Sequence, residues 1–240
     1  MAESLYHRVL LKLSGESFGK PGVFGIDGFA LESIAERIIE ICKLGPQVAV
    51  VVGAGNILRG ASFSESSHIP RNTADYMGML ATIINACALQ ETLEKLGQPT
   101  RVLSAIEVPA MCEPFIRRRA LHHLEKGRVT ILAGGTGNPF FTTDTCAALR
   151  ASELDADLLI KATKVKGVYS DDPAINPNAE LFDEVSYDQV LSKKLRIMDH
   201  SAISLCRDNH IPITVLNIFE RGNIAKALCG EHVGTKIGMT

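Results

Sequence analysis

Short runs of consecutive apolar residues, rich in Val, Ile and Leu, recur along this chain and are separated by segments with helical spacing. Strands of a parallel sheet have this composition because both of their faces are buried. The predicted strands span residues 8–13, 47–52, 100–103, 129–133, 157–161 and 212–216. Their alternation with helices predicts an α/β fold with a mainly parallel central sheet that helices cover on both faces.

The segments between the strands place apolar residues at the spacing of amphipathic helices. Residues 29–43 carry such a stripe, whereas residues 72–95 are apolar almost all round, which predicts burial in the core or against another subunit. The other predicted helices span 115–126, 143–154, 197–209 and 223–229. Because no linker, repeat or low-complexity segment interrupts the pattern, we expect a single domain over residues 1–240.

The composition excludes several classes of protein. The 240 residues are 46% hydrophobic and 22% charged, with a formal net charge of −2, so nucleic acid is not an expected partner. The six cysteines form no CxxC pair and show no metal-ligand spacing with histidine, which is typical of free thiols in a reducing compartment. Neither a signal peptide nor a membrane span is indicated. We therefore expect a soluble, cytoplasmic protein without membrane association.

Three glycine-containing turns each follow a predicted strand. They are Lys12–Gly15 (KLSG), Gly53–Asn56 (GAGN, followed by Arg59-Gly60) and Gly134–Asp144 (GGTGNPFFTTD). Ligands of open α/β sheets bind beyond the carboxyl ends of strands, and glycines let backbone amides approach an anion. Lys12 and Arg59 can supply cations for a phosphate. The chain has neither GxxxxGK[ST] nor GxGxxG, so a P-loop or dinucleotide site is not favoured.

Longer motifs cover nearly the whole chain. They are LLKLSGE at 10–16, FGID at 24–27, GAGNILRG at 53–60, DYMGMLAT at 75–82, GTGNPFFTTD at 135–144, ADLLIKATKVKGVYSDDP at 156–173 and RIMD at 196–199. In these motifs the chain resembles the bacterial uridylate (UMP) kinases of the amino acid kinase superfamily. The combination of GTGNPFFTTD with KATKV, GVY and DP is specific to these kinases, whereas other superfamily members share only the fold and the KLSG-like opening.

The resemblance implies a fold, an activity and a set of partners. It implies a three-layer αβα sandwich that transfers the γ-phosphate of MgATP to UMP, giving UDP for UTP and CTP biosynthesis. Mg²⁺ would be held by the ATP phosphates and water, with no protein ligand assigned. A homohexamer is implied, as are possible activation by GTP and inhibition by UTP. The segment that matches the family's regulatory region comprises Lys20, Pro21, Gly22, Val23, Phe24 and Gly25.

The resemblance also assigns binding residues. The positions that match the family's ATP site are Lys12, Leu13, Ser14, Gly15, Gly55, Arg59, Thr163, Tyr169 and Asp172. The positions that match its UMP site are Ala54, Asp75, Thr136, Gly137, Asn138, Pro139, Phe140, Phe141, Thr142 and Thr143. In this assignment Pro139 and the two rings shape an apolar wall, while hydroxyls and amides bind the pyrimidine edge.

Three residues receive catalytic roles. Lys12 would contact the transferring phosphoryl group, Arg59 would clamp phosphate, and Asp144, at a helix start, would orient Lys12 or a metal-bound water. A general base is not required, because the phosphate of UMP is already an anionic nucleophile. From the residues alone, Asp144 and Asp75 could equally be helix-start carboxylates that interact with the helix dipole. We expect Asp75 to open the long helix and to accept hydrogen bonds from the ribose.

The chain departs from the family pattern at two positions. Ala54 stands where the family usually has glycine in GGGN; a left-handed backbone would cost alanine roughly 1–2 kcal/mol, so an ordinary φ is expected there. Lys166 replaces a residue that is commonly acidic, which changes the charge near the nucleotide.

Two other functions stay open at this point. One keeps the fold but uses carbamate or an amino-acid carboxylate as the phosphoryl acceptor, and GTGNPFFTTD argues against it. The other is a nucleotide-binding storage or sensor protein without turnover. Retention of Lys12, Arg59 and Asp144 together argues against that second function.

Overall fold

The computed structural model describes residues 3–20, 22–58, 63–64, 68–171, 173, 175–176, 178–195 and 197–239. The strands in these residues are β1 (Arg8–Leu13), β2 (Gln47–Val52), β3 (Thr100–Ser104), β4 (Glu113–Pro114), β5 (Val129–Ala133), β6 (Leu158–Thr163), β7 (Val168–Tyr169), β8 (Leu181–Phe182), β9 (Glu184–Ser186), β10 (Ile213–Asn217) and β11 (Thr235–Gly238). Three residues assigned to sites from the sequence, Pro21, Arg59 and Asp172, lie outside the described residues.

Helices connect these strands. They are α1 (Gly28–Cys42), α2 (Arg71–Lys95), α3 (Arg117–Glu125), α4 (Thr143–Glu153), α5 (Tyr187–Ser192), α6 (His200–Asp208) and α7 (Asn223–Leu228), with a 3-10 helix at Gly15–Phe18. None of the helices in the described ranges is long and apolar enough to span a membrane.

The central sheet of the described chain has nine strands in the order β4-β3-β5-β2-β1-β6-β10-β11-β9. Its pairs are parallel except for β10 with β11. A separate antiparallel pair is formed by β7 and β8. The prediction of a mainly parallel sheet is therefore confirmed.

Two hydrophobic cores lie on opposite faces of this sheet and explain why its long strands are apolar at most positions. In β1, Leu11 and Leu13 face the core that contains α1, α2 and α7. Leu10 between them faces the core that contains α3, α4 and α6. Successive strand residues point to opposite faces, so both sets must be apolar when both faces are covered. This arrangement is the expected three-layer αβα sandwich.

The ends of the long central strands agree closely with the sequence prediction, but the short strands and one helix were not predicted. β1, β2 and β5 have the predicted bounds, and β3, β6 and β10 differ by one or two residues. β4, β7, β8, β9 and β11 have two to four residues each. Segments this short carry too little periodicity to be identified alone, and α5, with six residues, escaped prediction for the same reason.

The prediction that Asp75 opens the long helix is wrong. Pro70 is the N-cap residue of α2, so the helix begins at Arg71 and Asp75 lies a full turn inside it. Proline is compatible with this boundary because its missing backbone N–H would have no partner within the helix. Asp75 therefore has no role in capping the helix, and its carboxylate is available for other contacts.

Candidate active site

The first two glycine turns pack directly against each other at the carboxyl ends of β1 and β2. The Gly53 amide donates a hydrogen bond to the Leu13 carbonyl at 2.9 Å. A Cβ atom on Gly15 would overlap the Gly55 nitrogen and lie 2.6 Å from the carbonyl carbon of Ala54. Only glycine permits this approach, so the two turns form one continuous backbone surface.

Ala54 adopts an ordinary φ, as expected from its replacement of glycine. Among the described non-glycine residues, positive φ occurs at Phe140, Asp155, Lys194 and His210, and Ala54 is not one of them. Its carbonyl accepts hydrogen bonds from the amides of Ile57 and Leu58, both at 2.9 Å. The turn is therefore built without strain at this position.

A buried pair of asparagines fixes the second turn in place. Asn85 of α2 is fully buried and donates to Gly53 O and to Asn56 Oδ1, both at 2.8 Å. Asn56 donates to Gly25 O at 2.9 Å, and the Gly25 amide donates to Asn56 O at 2.7 Å. The described part of the expected regulatory segment, Lys20 and Gly22–Gly25, is thus joined by hydrogen bonds to the turn that was assigned to phosphate binding.

Asp144 lies between two lysine ammonium groups at the carboxyl edge of the sheet. Lys12 Nζ is 2.8 Å from Asp144 Oδ1, and Lys161 Nζ is 2.8 Å from Oδ2. All three side chains are 15% exposed or less. Lys161 also donates to the Ile197 carbonyl. The carboxylate therefore holds two ammonium groups side by side, which would otherwise repel each other.

Burial and charge act in opposite directions on these groups. Burial raises the pKa of Asp144, but the positive charges of Lys12 and Lys161 together lower it by more than burial raises it. The pKa therefore lies below its ordinary value of 3.8. Burial lowers the pKa of Lys161, an effect that Asp144 opposes and Lys12 reinforces. At neutral pH the site holds an ionised carboxylate.

Lys161 belongs to this charged cluster, and the sequence analysis missed it. It is paired with Lys12 in the register of β1 and β6, so both side chains project from the same face of the sheet, the face that α4 covers. Lysine at the end of the apolar run Leu158–Ile160 is the same signal that marked Lys12 between Leu11 and Leu13. The signal was present in the sequence, but the register was needed to show that the two lysines meet.

The third glycine turn and Asp75 lie together, as the assignment to one binding site requires. The Phe140 amide donates to Asp75 Oδ2 at 2.8 Å, and Arg71 Nε donates to both carboxylate oxygens at 2.9 and 3.0 Å. Phe140 has φ 72° and its side chain is 66% exposed, while Phe141 is 54% exposed. Two rings are thus presented to solvent beside a carboxylate, on a backbone that Asp75 anchors.

The remaining residues of this segment shape the start of α4. Thr136 and Asn138 form a local turn, in which Thr136 Oγ1 donates to Asn138 O at 3.1 Å. Thr142 caps α4 by accepting from the amides of Asp144 and Thr145, as expected for a helix that starts here. Pro139 lies between these two features, Gly137 has φ 83°, and Thr143 is the first residue of the helix.

Asp199 connects the start of α4 to the start of α6. Its carboxylate accepts hydrogen bonds from Thr142 Oγ1 and from Thr145 Oγ1, the latter at 2.8 Å. It also caps α6 through the Ala202 amide at 2.8 Å. The sequence analysis included Asp199 in a motif but gave it no role. Because α6 begins at His200, after this cap, the predicted helix start at 197 was three residues early.

A cavity of about 590 Å³ opens beside β6, and its lining includes Thr163, Tyr169 and Lys161. A volume of this size accommodates a nucleoside. Leu13, the last residue of β1, is fully buried, and Ser14 precedes the 3-10 helix. The described residues that were assigned to ATP therefore extend from this cavity along the edge of the sheet to Lys12.

Within the described ranges, no cluster of three or more His, Cys, Asp or Glu side chains could hold a metal ion. Asp144 Oδ1 contacts the Lys12 ammonium but accepts no aligned hydrogen bond from a described group. This oxygen can accept a hydrogen bond from a metal-bound water. Asp144 would therefore be the described residue that holds a Mg²⁺ ion, through a bound water, when the ion arrives with a nucleotide.

The known proteins that this chain resembles in sequence and in structure are kinases of one family. A model of the amino acid kinase family matches residues 7–217. The chain is 53% identical over 235 residues to the chloroplastic uridylate kinase PUMPKIN of Arabidopsis thaliana, a match that covers 98% of this chain and 69% of that protein.

Solved structures with the same architecture include two bacterial UMP kinases. The crystal structure from Bacillus anthracis has a TM-score of 0.94 and 39% identity, covering 97% of this chain and 96% of that one. The structure from Ureaplasma parvum has a TM-score of 0.90 and 36% identity, covering 100% of both chains. A uridylate kinase from Archaeoglobus fulgidus has a TM-score of 0.73 and 28% identity, covering 96% of this chain and 100% of that one.

The contacts of Asp144 generate a prediction about stability. Asp144→Asn leaves two neighbouring ammonium groups without their counter-charge, so the free energy of unfolding at pH 7 should fall by about 3 kcal/mol. A carboxylate with a lowered pKa stabilises the fold fully above its unfolded pKa, and this contribution is lost as the pH falls through the folded value. The difference in free energy of unfolding between wild type and Asp144→Asn should therefore stay constant from pH 8 to 5. It should become smaller only when the pH falls below 3.8, the ordinary pKa of an aspartate.

Urea unfolding at fixed protein concentration, repeated over this pH range, measures the difference. Asp188→Asn, which removes an exposed partner of Arg207, is the matched control and should have little effect. A difference that already narrows between pH 7 and 5 would contradict the lowered pKa of Asp144.

Proposed function

The chain belongs to the amino acid kinase family, and from this premise we propose that it phosphorylates UMP to UDP with the γ-phosphate of ATP. The observation that carries the proposal is the Lys12–Asp144–Lys161 cluster at the edge where three glycine turns meet. The Arabidopsis relative at 53% identity is a uridylate kinase.

Phosphoryl transfer requires positioning and charge stabilisation more than covalent chemistry by the protein. The ammonium groups of Lys12 and Lys161 are fixed by Asp144 before substrate arrives, so they need little reorganisation when negative charge develops on the transferred group. Asp144 acts as the positioning residue for both. Mg²⁺ bound to ATP would neutralise part of the phosphate charge when the nucleotide binds.

The two nucleotides are assigned to opposite sides of this cluster. The cavity beside β6 receives the adenosine of ATP, in support of which Thr163 and Tyr169 lie in its lining. UMP is assigned to the third glycine turn, where Phe140 and Phe141 are exposed and Asp75 lies close to the backbone. Arg59 and Asp172 keep their assigned roles as phosphate and ATP contacts, although both lie outside the described residues.

Assembly into a homohexamer, implied by the family resemblance, is part of the proposal. Its support is an apolar stripe on α2 formed by Tyr76, Leu80 and Ile84, which are 42%, 47% and 54% exposed. The spacing of four residues places them on one face of the helix. Such a stripe is typical of a subunit contact.

Regulation and compartment also stay predictions. Activation by GTP and inhibition by UTP would act through residues 20–25, and the hydrogen bonds between Gly25 and Asn56 give that segment a route to the phosphate turn. The sequence predicts the cytoplasm, whereas the Arabidopsis relative is chloroplastic.

The first prediction of the proposed function concerns the choice of phosphoryl acceptor. ADP release with MgATP should depend on UMP and should be far slower with CMP, because cytosine has an amine in place of the C4 carbonyl and an acceptor in place of the N3–H donor, which reverses both hydrogen bonds at the base edge. A coupled assay with UMP, CMP, carbamate and amino-acid carboxylates measures this. Equal efficiency with CMP would contradict the UMP assignment, turnover with a carboxylate would favour the other kinase class, and binding without turnover would favour a sensor.

The second prediction concerns Asp75. Asp75→Ala should raise KM for UMP roughly ten-fold, leave KM for ATP nearly unchanged and remove most of the preference for UMP over 2′-deoxy-UMP, because a charged acceptor for a ribose hydroxyl contributes ~1.5–3 kcal/mol. The control is Asp75→Asn, which keeps an oxygen acceptor for the Phe140 amide. If the Asp75→Ala variant raises KM equally for UMP and 2′-deoxy-UMP, Asp75 does not bind the ribose and only anchors the backbone of the third turn.

The third prediction concerns assembly. A charge at the most exposed residue of the apolar stripe, in Ile84→Glu, should shift the protein toward smaller species in light scattering, since an unpaired charge at a contact is costly. Glu91→Gln, on the same helix and outside the stripe, is the control. An unchanged mass for a folded Ile84→Glu protein would place the subunit contact elsewhere.

A further inference from the structure

Two neighbouring cavities share part of their lining just after α5. The larger, of about 590 Å³, contains Thr163 and Tyr169, and the smaller, of about 320 Å³, contains Asp144. Lys194 lines both and is the one lysine of the described residues that does so. It therefore lies where the cavity assigned to adenosine meets the carboxylate of the phosphoryl-transfer cluster.

The backbone of Lys194 is in a conformation that disfavours lysine. Its φ is 50°, in the left-handed region. The Leu195 amide donates to Val190 O at 3.1 Å and the Lys194 amide to Leu191 O at 3.3 Å, which is the Schellman pattern at the end of α5. Glycine is the usual residue at this position because a Cβ atom makes the conformation costly. A lysine here points to a contribution from its side chain.

The charge of Lys194 is also available. Lys12 and Lys161 both contact Asp144, whereas no carboxylate of the described residues forms an ion pair with Lys194. The neighbouring Lys193 lies over the Phe182 ring, with Nζ 5.6 Å from its centre. A nucleoside triphosphate brings several negative charges into this region, and a lysine with a flexible stem can follow them as a point charge.

We propose that Lys194 binds the phosphate chain of the nucleotide donor. The inference rests on the proposed kinase function and adds a phosphate contact that the sequence analysis did not assign. A positive charge between the two cavities attracts the α- and β-phosphates while the γ-phosphate lies at the Lys12–Asp144–Lys161 cluster. Lys194 lines both cavities at this junction, and nucleotide binding would offset the stability that its left-handed backbone costs.

His210 is a matched control for the effect of the left-handed backbone conformation on stability. His210 follows α6 with φ 56°, and the Ile211 amide donates to Cys206 O at 2.9 Å in the same Schellman pattern. It precedes β10, so it lies at the amino end of that strand, away from the carboxyl edge that carries the cluster. Glycine at either position removes the same strain, but only at Lys194 does it remove a phosphate contact.

The experiment compares Lys194→Gly, Lys194→Arg and His210→Gly by thermal unfolding and by steady-state kinetics with MgATP and UMP. Both glycine variants should raise Tm by about 2–4 °C. Lys194→Gly should also raise KM for ATP about ten-fold, with KM for UMP within two-fold of wild type. Lys194→Arg, which keeps the charge, should have a KM for ATP within about three-fold of the wild-type value. His210→Gly should leave KM for ATP and KM for UMP unchanged. If Lys194→Gly does not fold, Lys194→Asn, which also tolerates the left-handed region, replaces it.

The outcomes separate this inference from the function on which it rests. A wild-type protein without UMP-dependent ADP release overturns the kinase proposal itself. An active wild type with unchanged KM for ATP in Lys194→Gly overturns the role of Lys194 alone. The role of Lys194 is also overturned if Lys194→Gly raises KM equally for ATP and UMP, or if Lys194→Arg raises KM for ATP as much as Lys194→Gly does. In either case the rise in KM would not come from the loss of the lysine charge.

Discussion

The ion-pair contacts of Asp144 with Lys12 and Lys161 are the interaction on which the catalytic edge depends. Two ammonium groups on adjacent strands, each largely buried, would be strongly unfavourable without a counter-charge. Asp144 supplies that charge from the first turn of α4, which ties the start of this helix to the ends of β1 and β6. Two ammonium groups and one carboxylate leave a net positive charge at this edge, which suits the phosphate that is proposed to bind there.

Backbone contacts complete the edge. Gly15 allows the first turn to touch the second, and the buried Asn85 holds the second turn to α2. Asp199 ties the start of α4 to that of α6 through Thr142 and Thr145. These contacts use few charged groups, and they fix the position of amides that can approach phosphate. The same network reaches Gly25, so hydrogen bonds join this residue to the second turn.

The residues that the sequence analysis missed show which signals are weak. Lys161 carried the same signal as Lys12, a lysine in an apolar strand, but only the register of β1 with β6 places the two side chains together. Asp199 is an N-cap residue and would have been assigned only that role, because its second contact joins residues 54 positions apart. Lys194 stands out through its backbone angle and its place in the lining of two cavities, neither of which its residue type predicts.

The sequence by itself determined the long strands, the parallel sheet, the glycine turns and the family, because these depend on periodicity and on motifs that are local in the chain. The tertiary structure decided which of these residues meet. The pairing of Lys12 with Lys161 and the hydrogen bond from Phe140 to Asp75 depend on strand register and helix packing, which local periodicity does not encode. Strands of two to four residues, such as β7 and β11, likewise form only because partners are present.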